Sequence, residues 1–255
     1  MEVTHEFVFD RIARDPLSHL GGHSPDLLFC YIAGYDDARS FHNNTPVAGV
    51  LGLTEFVFWF RDNCYSGPQG LAGFCRLVTD TDESALELFF ELRRMRLEQI
   101  RNLPPPVQKE DSLKAVEESF ENPMSLTELV LSESMRTRTA MYVGNERWIQ
   151  GIWAMWSGYI WAERDLGIKG SPDARNFDGF QKWIDARDPF AQGKNWGKVI
   201  QFLGVGSNER ARNEFYDLFE TFLEGGKPSD ASKGCRDWIA GVLADVEERQ
   251  SKGEL

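Results

Sequence analysis

Several groups of residues in this 255-residue sequence have types and spacings that could do chemistry, and the first is a pair of histidines. His19 and His23 are four residues apart, the spacing at which two imidazoles share one helical face as metal ligands do. Gly21 and Gly22 lie between them and predict a turn instead. We therefore expect no metal site here, and nothing else in the sequence indicates a cofactor.

A second group could bind an anion. Arg136, Arg138 and Tyr142 lie close together in the sequence. Arginine suits the planar, bidentate recognition of a carboxylate or a phosphate. If these residues border a pocket between two halves of the chain, the protein would be an enzyme or a small-anion sensor. We keep that function as the alternative to the one inferred below.

Acidic residues form the third group. The formal net charge is −12, which opposes nucleic-acid binding, since that function needs a basic face. Residues 1–103 contain 9 basic and 15 acidic residues, whereas residues 126–224 contain 12 and 14. An acidic surface either confers solubility or attracts a basic partner by electrostatic steering. The expected contact residues for such a partner are Asp36, Asp37, Asp80, Asp82 and Glu83.

Nucleophilic catalysis finds no support in the sequence. All four histidines lie within the first 42 residues, and there is no Gly-x-Ser-x-Gly turn. No carboxylate lies alone within an apolar helical stripe, where a raised pKa would indicate a general acid. We expect no catalytic residues and no enzyme activity.

The cysteines show no Cys-x-x-Cys spacing and are expected to be mostly buried free thiols: Cys30, Cys64, Cys75 and Cys235.

The elements that must position these residues are predicted to be helices, and their sequence pattern occurs twice in the chain. Gly34-Tyr35 corresponds to Gly158-Tyr159, and the same order of matches continues downstream at offsets of 124 to 126 residues. The further matched pairs are Ala38 with Ala162, Phe56 with Phe180, Trp59 with Trp183, Ala85 with Ala211, Phe89 with Phe215, and Leu92 with Leu218. This pattern predicts an all-α fold of two tandem pseudo-repeated modules, residues 1–103 and 126–224. A Pro-rich acidic linker at residues 104–125 joins them, and an amphipathic helix follows within residues 225–255.

Capping and periodicity predict where the helices begin and end. Ser24-Pro25 is expected to start a helix, Asp15-Pro16 to end one, and Thr54 to cap one. Leu126–Met135 is expected to form one helix equivalent to Phe7–Arg14. The β-forming residues at 56–60 leave a strand open, but the helical spacing of their counterparts at 177–184 favours a helix. The four tryptophans between residues 148 and 161 spread around their helix. This distribution favours a helix that is buried on several sides, and it argues against a face on which a ligand stacks.

One segment resembles a known group of proteins. Met141-Tyr142-Val143-Gly144 is followed by Gly158-Tyr159 and then by the aromatic and Ala-x-x-x-Phe-x-x-Leu elements, in the order found in small bacterial proteins with an Arg-Pro-Gly-Met-Tyr-Leu-Gly segment. Thr139-Ala140 replaces the Pro-Gly of that group, and the first copy has Ser18-His19-Leu20-Gly21 in place of Met-Tyr-Leu-Gly. The likeness covers most of residues 133–223 and, more faintly, residues 10–95. Such proteins look like immunity proteins, the companions of secreted bacterial toxins, and the resemblance implies no catalytic residues.

These observations predict a non-enzymatic binding protein. We expect an immunity protein that neutralises a basic bacterial toxin by direct binding. A structural subunit whose two modules mimic a homodimer is a further alternative, and the oligomeric state stays open. The N-terminus lacks the regions of a signal peptide, and the sequence has no run of eighteen apolar residues. We therefore expect a cytoplasmic protein without a membrane segment.

Overall fold

A computed structural model of the chain describes residues 4–43, 52–67, 70–102, 124–138, 143, 148–188, 192–204, 207–228 and 248–252. The helices in these ranges, in chain order, are α1 His5–Arg14, α2 Pro16–Leu20, α3 Pro25–Asn43, α4 Leu53–Asn63, α5 Gly70–Val78, α6 Asp82–Arg101, α7 Leu126–Leu131, α8 Glu133–Thr137, α9 Trp148–Asp165, α10 Pro172–Arg187, α11 Trp196–Leu203 and α12 Asn208–Leu223. The described part of the chain contains no sheet, so the predicted all-α class is confirmed. Most of the linker, Tyr142, Cys235 and most of the C-terminal segment lie outside these residues.

The ends of the helices follow local capping rules. The Thr81 side chain caps α6 by accepting a hydrogen bond from the Ser84 amide, and the Ser207 side chain caps α12 by accepting one from the Arg210 amide. Thr54 was wrong as a cap, because α4 begins one residue earlier and its N-cap is Gly52. The single helix expected at 126–135 is also wrong. Ser132 ends α7 and its side chain caps α8 by accepting a hydrogen bond from the Met135 amide.

The core forms around α3 and α9, which run parallel to each other. Gly34 lies against Met155, and His42 lies against Glu163, so the contacts advance in the same direction along both helices. The central contact is reciprocal, because Gly34 faces the backbone of Met155 while Gly158 faces the backbone of Tyr31. Both pairs of equivalent positions differ by 124 residues, Gly34 from Gly158 and Tyr31 from Met155. Glycine is required at both positions because a Cβ atom would overlap the facing main chain.

The remaining long helices surround this pair with matched aromatic contacts. In the first half, Phe56 stacks on Trp59 at 5.9 Å and meets Phe89 edge to face at 5.4 Å. In the second half, Phe180 stacks on Trp183 at 6.1 Å and meets Phe215 edge to face at 6.1 Å. α9 is buried on several sides, as predicted from its tryptophans. The order of a central helix, an aromatic helix, a short helix and a long helix is thus the same in α3–α6 and α9–α12. The two-copy interpretation itself stays a prediction.

Charged contacts also connect the two halves. Arg11 of α1 donates two hydrogen bonds to Asp165 at the end of α9, at 3.2 and 2.6 Å, and the Tyr35 hydroxyl donates a third at 2.6 Å. Burial is the largest single influence and opposes the charged guanidinium, but the hydrogen bond to Asp165 and the interactions with Tyr31, Asp165 and Tyr35 together raise the pKa of Arg11. Burial and the hydrogen bond to Asp165 likewise raise the pKa of Tyr35.

Among the described helices, none combines the length and the apolar composition that a membrane crossing requires.

Candidate functional site

An exposed corner between α5 and α6 combines apolar and acidic side chains. Leu77 and Val78 end α5 and are 69% and 53% exposed. The turn at residues 79–81 follows, with Asp80 exposed, and α6 then begins with Asp82 and Glu83. Exposed apolar residues with a polar rim are typical of a protein interaction surface. We call residues 77–83 the acidic corner.

Local structure explains why the acidic corner keeps its shape. The Thr79 hydroxyl donates a hydrogen bond to the Cys75 carbonyl at 2.7 Å, which closes the end of α5. Thr81 caps α6, so the next two acids lie at the positive end of the helix dipole. Acidic residues are favoured at that end of a helix. The acidic corner therefore presents negative charge beside an apolar contact.

The structure divides the predicted acidic residues into two groups. Glu83 lies 3.9 Å from His23, just before α3 begins, which places the acidic corner near the start of α3. Asp36 and Asp37 lie about thirteen residues further along the same helix, which corresponds to about 20 Å. There the Asp36 carboxylate lies 3.3 Å from Nε2 of His5. Asp80, Asp82 and Glu83 therefore form one surface, whereas Asp36 and Asp37 belong to another.

The residues predicted for the alternative anion site are only partly described. Arg136 pairs with Glu220, donates to the Leu131 carbonyl at 3.2 Å and lies over the Tyr216 ring at 4.3 Å. These contacts account for the position of its guanidinium without a ligand. Arg138 is exposed at the end of α8, and Tyr142 lies outside the described residues. The anion site at these residues stays a prediction.

A basic cleft, which sequence reasoning missed, lies at the junction of α9 and α10. Its volume is about 560 Å³. Four of its lining residues are basic and exposed: Arg164, Lys169, Arg175 and Lys182. They come from the end of α9, the turn after it and the first three turns of α10. Residues 163–182 contain four basic and four acidic residues, so no local excess of charge in the sequence indicated the cleft.

Beneath the basic cleft lies a buried polar cluster. Glu163 is 1% exposed; one carboxylate oxygen lies 2.8 Å from Nε2 of His42, and the other accepts a hydrogen bond from the Ser171 hydroxyl. α3 continues to Asn43 and so brings His42 to α9. Ser171 also caps α10 by accepting from the Ala174 amide at 3.0 Å. The cluster ties the end of α3 to the start of α10.

The polar cluster does not have the geometry of an activated nucleophile. In a serine hydrolase the histidine contacts the serine hydroxyl, whereas here the carboxylate of Glu163 lies between Ser171 and His42. Within the described ranges, no group of three histidine, cysteine or acidic residues could hold a metal ion. The described cysteines are free thiols, with Cys30 and Cys75 buried and Cys64 exposed.

Comparison with family models, with curated proteins and with solved structures found no match. Functional inference for this chain therefore depends on its own residues and their arrangement.

Proposed function

We propose that this chain is a non-enzymatic binding protein, an immunity protein that neutralises a basic bacterial toxin by direct contact. The observation that carries the proposal is the acidic corner, where the exposed Leu77 and Val78 adjoin three carboxylates. Apolar side chains in the centre of a contact supply affinity by leaving water, and acids at its rim accelerate encounter with a basic partner. The resemblance of residues 133–223 to immunity-type proteins supports the same function.

The second half of the chain supplies an internal comparison. Phe202 is the last but one residue of α11, as Leu77 is of α5, and Phe202 is 57% exposed. The turn that follows it leads to Asn208 and Glu209, where the first half has Asp82 and Glu83. The second corner therefore has an apolar residue but fewer acids. This difference favours the first corner as the surface for a basic protein.

Co-expression with the product of a neighbouring toxin gene tests the proposal. Cells that express the toxin should survive when they also produce this chain, and the two proteins should purify as a complex. Reversing the charge with Asp80→Lys and Glu83→Lys together should abolish rescue and weaken binding at least tenfold. Glu209→Lys is the matched control at the equivalent turn and should leave both unchanged.

Ionic strength provides a second measurement on the same complex. Because steering by exposed charges is screened by salt, the association rate should fall between low and physiological ionic strength, while dissociation changes little. Failure to neutralise any neighbouring toxin would refute the proposed function. Neutralisation that survives the double reversal at Asp80 and Glu83 would refute the acidic corner as the contact surface.

A further inference from the structure

We propose that the basic cleft binds a small anion that carries at least two phosphate groups, such as a diphosphate. The site is separate from the acidic corner and from the alternative site at Arg136. It lies wholly within the second half of the chain, at the junction of α9 and α10. The proposal does not depend on the identity of a protein partner.

Charge is the first argument. The chain as a whole carries −12, yet the four exposed basic residues of the cleft face a single exposed acid, Asp178. Within the described part of the chain, none of these four basic side chains forms an ion pair. Four cations of like sign repel one another, and a bound anion removes that repulsion. The exposed charge of about +3 matches a diphosphate better than a single phosphate.

The second argument concerns the other acid of the cleft, Glu163. Its side chain is buried beneath the cleft, between His42 and the hydroxyl of Ser171. Its oxygens are therefore directed toward partners within the protein. A carboxylate that would otherwise repel an anion is withdrawn below the surface, while the basic residues remain above it.

The arrangement of the cations is the third argument. Arg175 and Lys182 lie seven residues apart on one face of α10, about 10 Å along the helix axis. Arg164 and Lys169 approach from the end of α9 and the turn that follows. The Arg164 guanidinium lies 5.0 Å from the centre of the Trp161 ring, and Arg175 donates to the Gly170 carbonyl, so contacts already orient two of the four. A ligand with two linked phosphates can contact cations on both sides.

The start of α10 adds a favourable field. This helix has sixteen residues, and Ala174 in its first turn lines the cleft. The positive end of a helix dipole favours a nearby anion. No aromatic residue lines the cleft, so nothing there would stack on a base. The recognised part of the ligand is therefore its phosphates, and the net acidity of the chain opposes a long nucleic acid.

Titration calorimetry and thermal unfolding with pyrophosphate test the proposal. Orthophosphate and potassium chloride at the same ionic strength serve as comparisons. Pyrophosphate should bind saturably and raise the melting temperature, orthophosphate should bind at least tenfold more weakly, and chloride should have no effect. Lys169→Glu combined with Lys182→Glu should reduce pyrophosphate affinity at least tenfold. Lys194→Glu changes an exposed lysine outside the lining and should keep affinity within twofold.

Two results would overturn the assignment. The first is the absence of saturable pyrophosphate binding to the unmodified chain. The second is unchanged affinity in the double variant, with circular dichroism showing that it is folded. Arg138→Glu distinguishes the alternative site, because loss of binding in that variant alone would place the anion near α8 instead of in the basic cleft. None of these measurements depends on toxin neutralisation, so either proposal can fail alone.

Discussion

Replacing Gly34 or Gly158 by alanine should destabilise the protein more than any other glycine-to-alanine change within its long helices. A Cβ atom on Gly34 would lie 2.7 Å from the carbonyl carbon of Met155, and one on Gly158 would lie 2.8 Å from the carbonyl carbon of Tyr31. The carbonyl oxygens would be closer still. Because ordinary Cβ contacts begin at 3.4 Å, α3 and α9 would have to separate locally by at least about 0.7 Å.

The expected magnitude follows from two opposing effects. Alanine is favoured over glycine within a helix by about 1 kcal/mol. Overpacking a core costs about 1–3 kcal/mol when neighbouring side chains can adjust. Here the obstacle is the backbone of the facing helix, which cannot rotate away. We therefore expect Gly34→Ala and Gly158→Ala each to lower the free energy of unfolding by about 2 kcal/mol or more.

Urea unfolding, followed by tryptophan fluorescence and circular dichroism, measures this change. Gly179→Ala is the control, because its Cβ would lie 3.0 Å from the ring of Phe222, a side chain that can move. That variant should stay within about 1 kcal/mol of the unmodified chain. The double variant at Gly34 and Gly158 should cost less than the sum, since one separation relieves both contacts. Unchanged stability in both single variants would refute the close helix pair.

Two further predictions concern the cysteines and the ion pair between the halves. Burial raises the pKa of the Cys30 thiol to about 12 and that of the Cys75 thiol to about 11. A maleimide at pH 8 should therefore label the exposed Cys64 rapidly, and Cys30 and Cys75 only after unfolding, as peptide mass spectrometry would show. Both thiols ionise more readily in the unfolded chain, so their contribution to stability is complete below pH 9 and is lost as pH rises above it. Asp165→Asn should lower the free energy of unfolding by about 2–3 kcal/mol, because the half-buried Arg11 loses its carboxylate, and an unchanged urea midpoint would contradict that role.

Local sequence rules predicted the helices well because each depends on nearby residues. α3 begins at Pro25 as predicted, and the helical alternative at residues 56–60 is confirmed. The errors were also local. A serine at 132 served as the end of one helix and the cap of the next, which apolar periodicity alone does not show.

The contacts that depend on tertiary structure could not be predicted. Glu163 reads as one acid near the end of a helix, and nothing nearby in the sequence indicates that His42, 121 residues earlier, lies against it. The basic cleft has the same origin, since Arg164 and Lys182 become neighbours only when the chain turns back after α9. The sequence also did not show that the expected acidic contact residues lie in two places, because only the structure shows that α3 carries Asp36 away from the acidic corner.

The pattern of shared and unshared features between the halves favours duplication followed by divergence of the surface. The shared features are packing contacts: the reciprocal glycines, and the stacked pairs led by Phe56 and Phe180. The unshared features are exposed charges, because the acidic corner belongs to the first half and the basic cleft to the second. Packing errors cost several kcal/mol in a core, whereas exposed substitutions usually cost less than about 0.5 kcal/mol. A duplicated chain can therefore keep the same packing in both halves while their surfaces diverge, as the acidic corner and the basic cleft differ here.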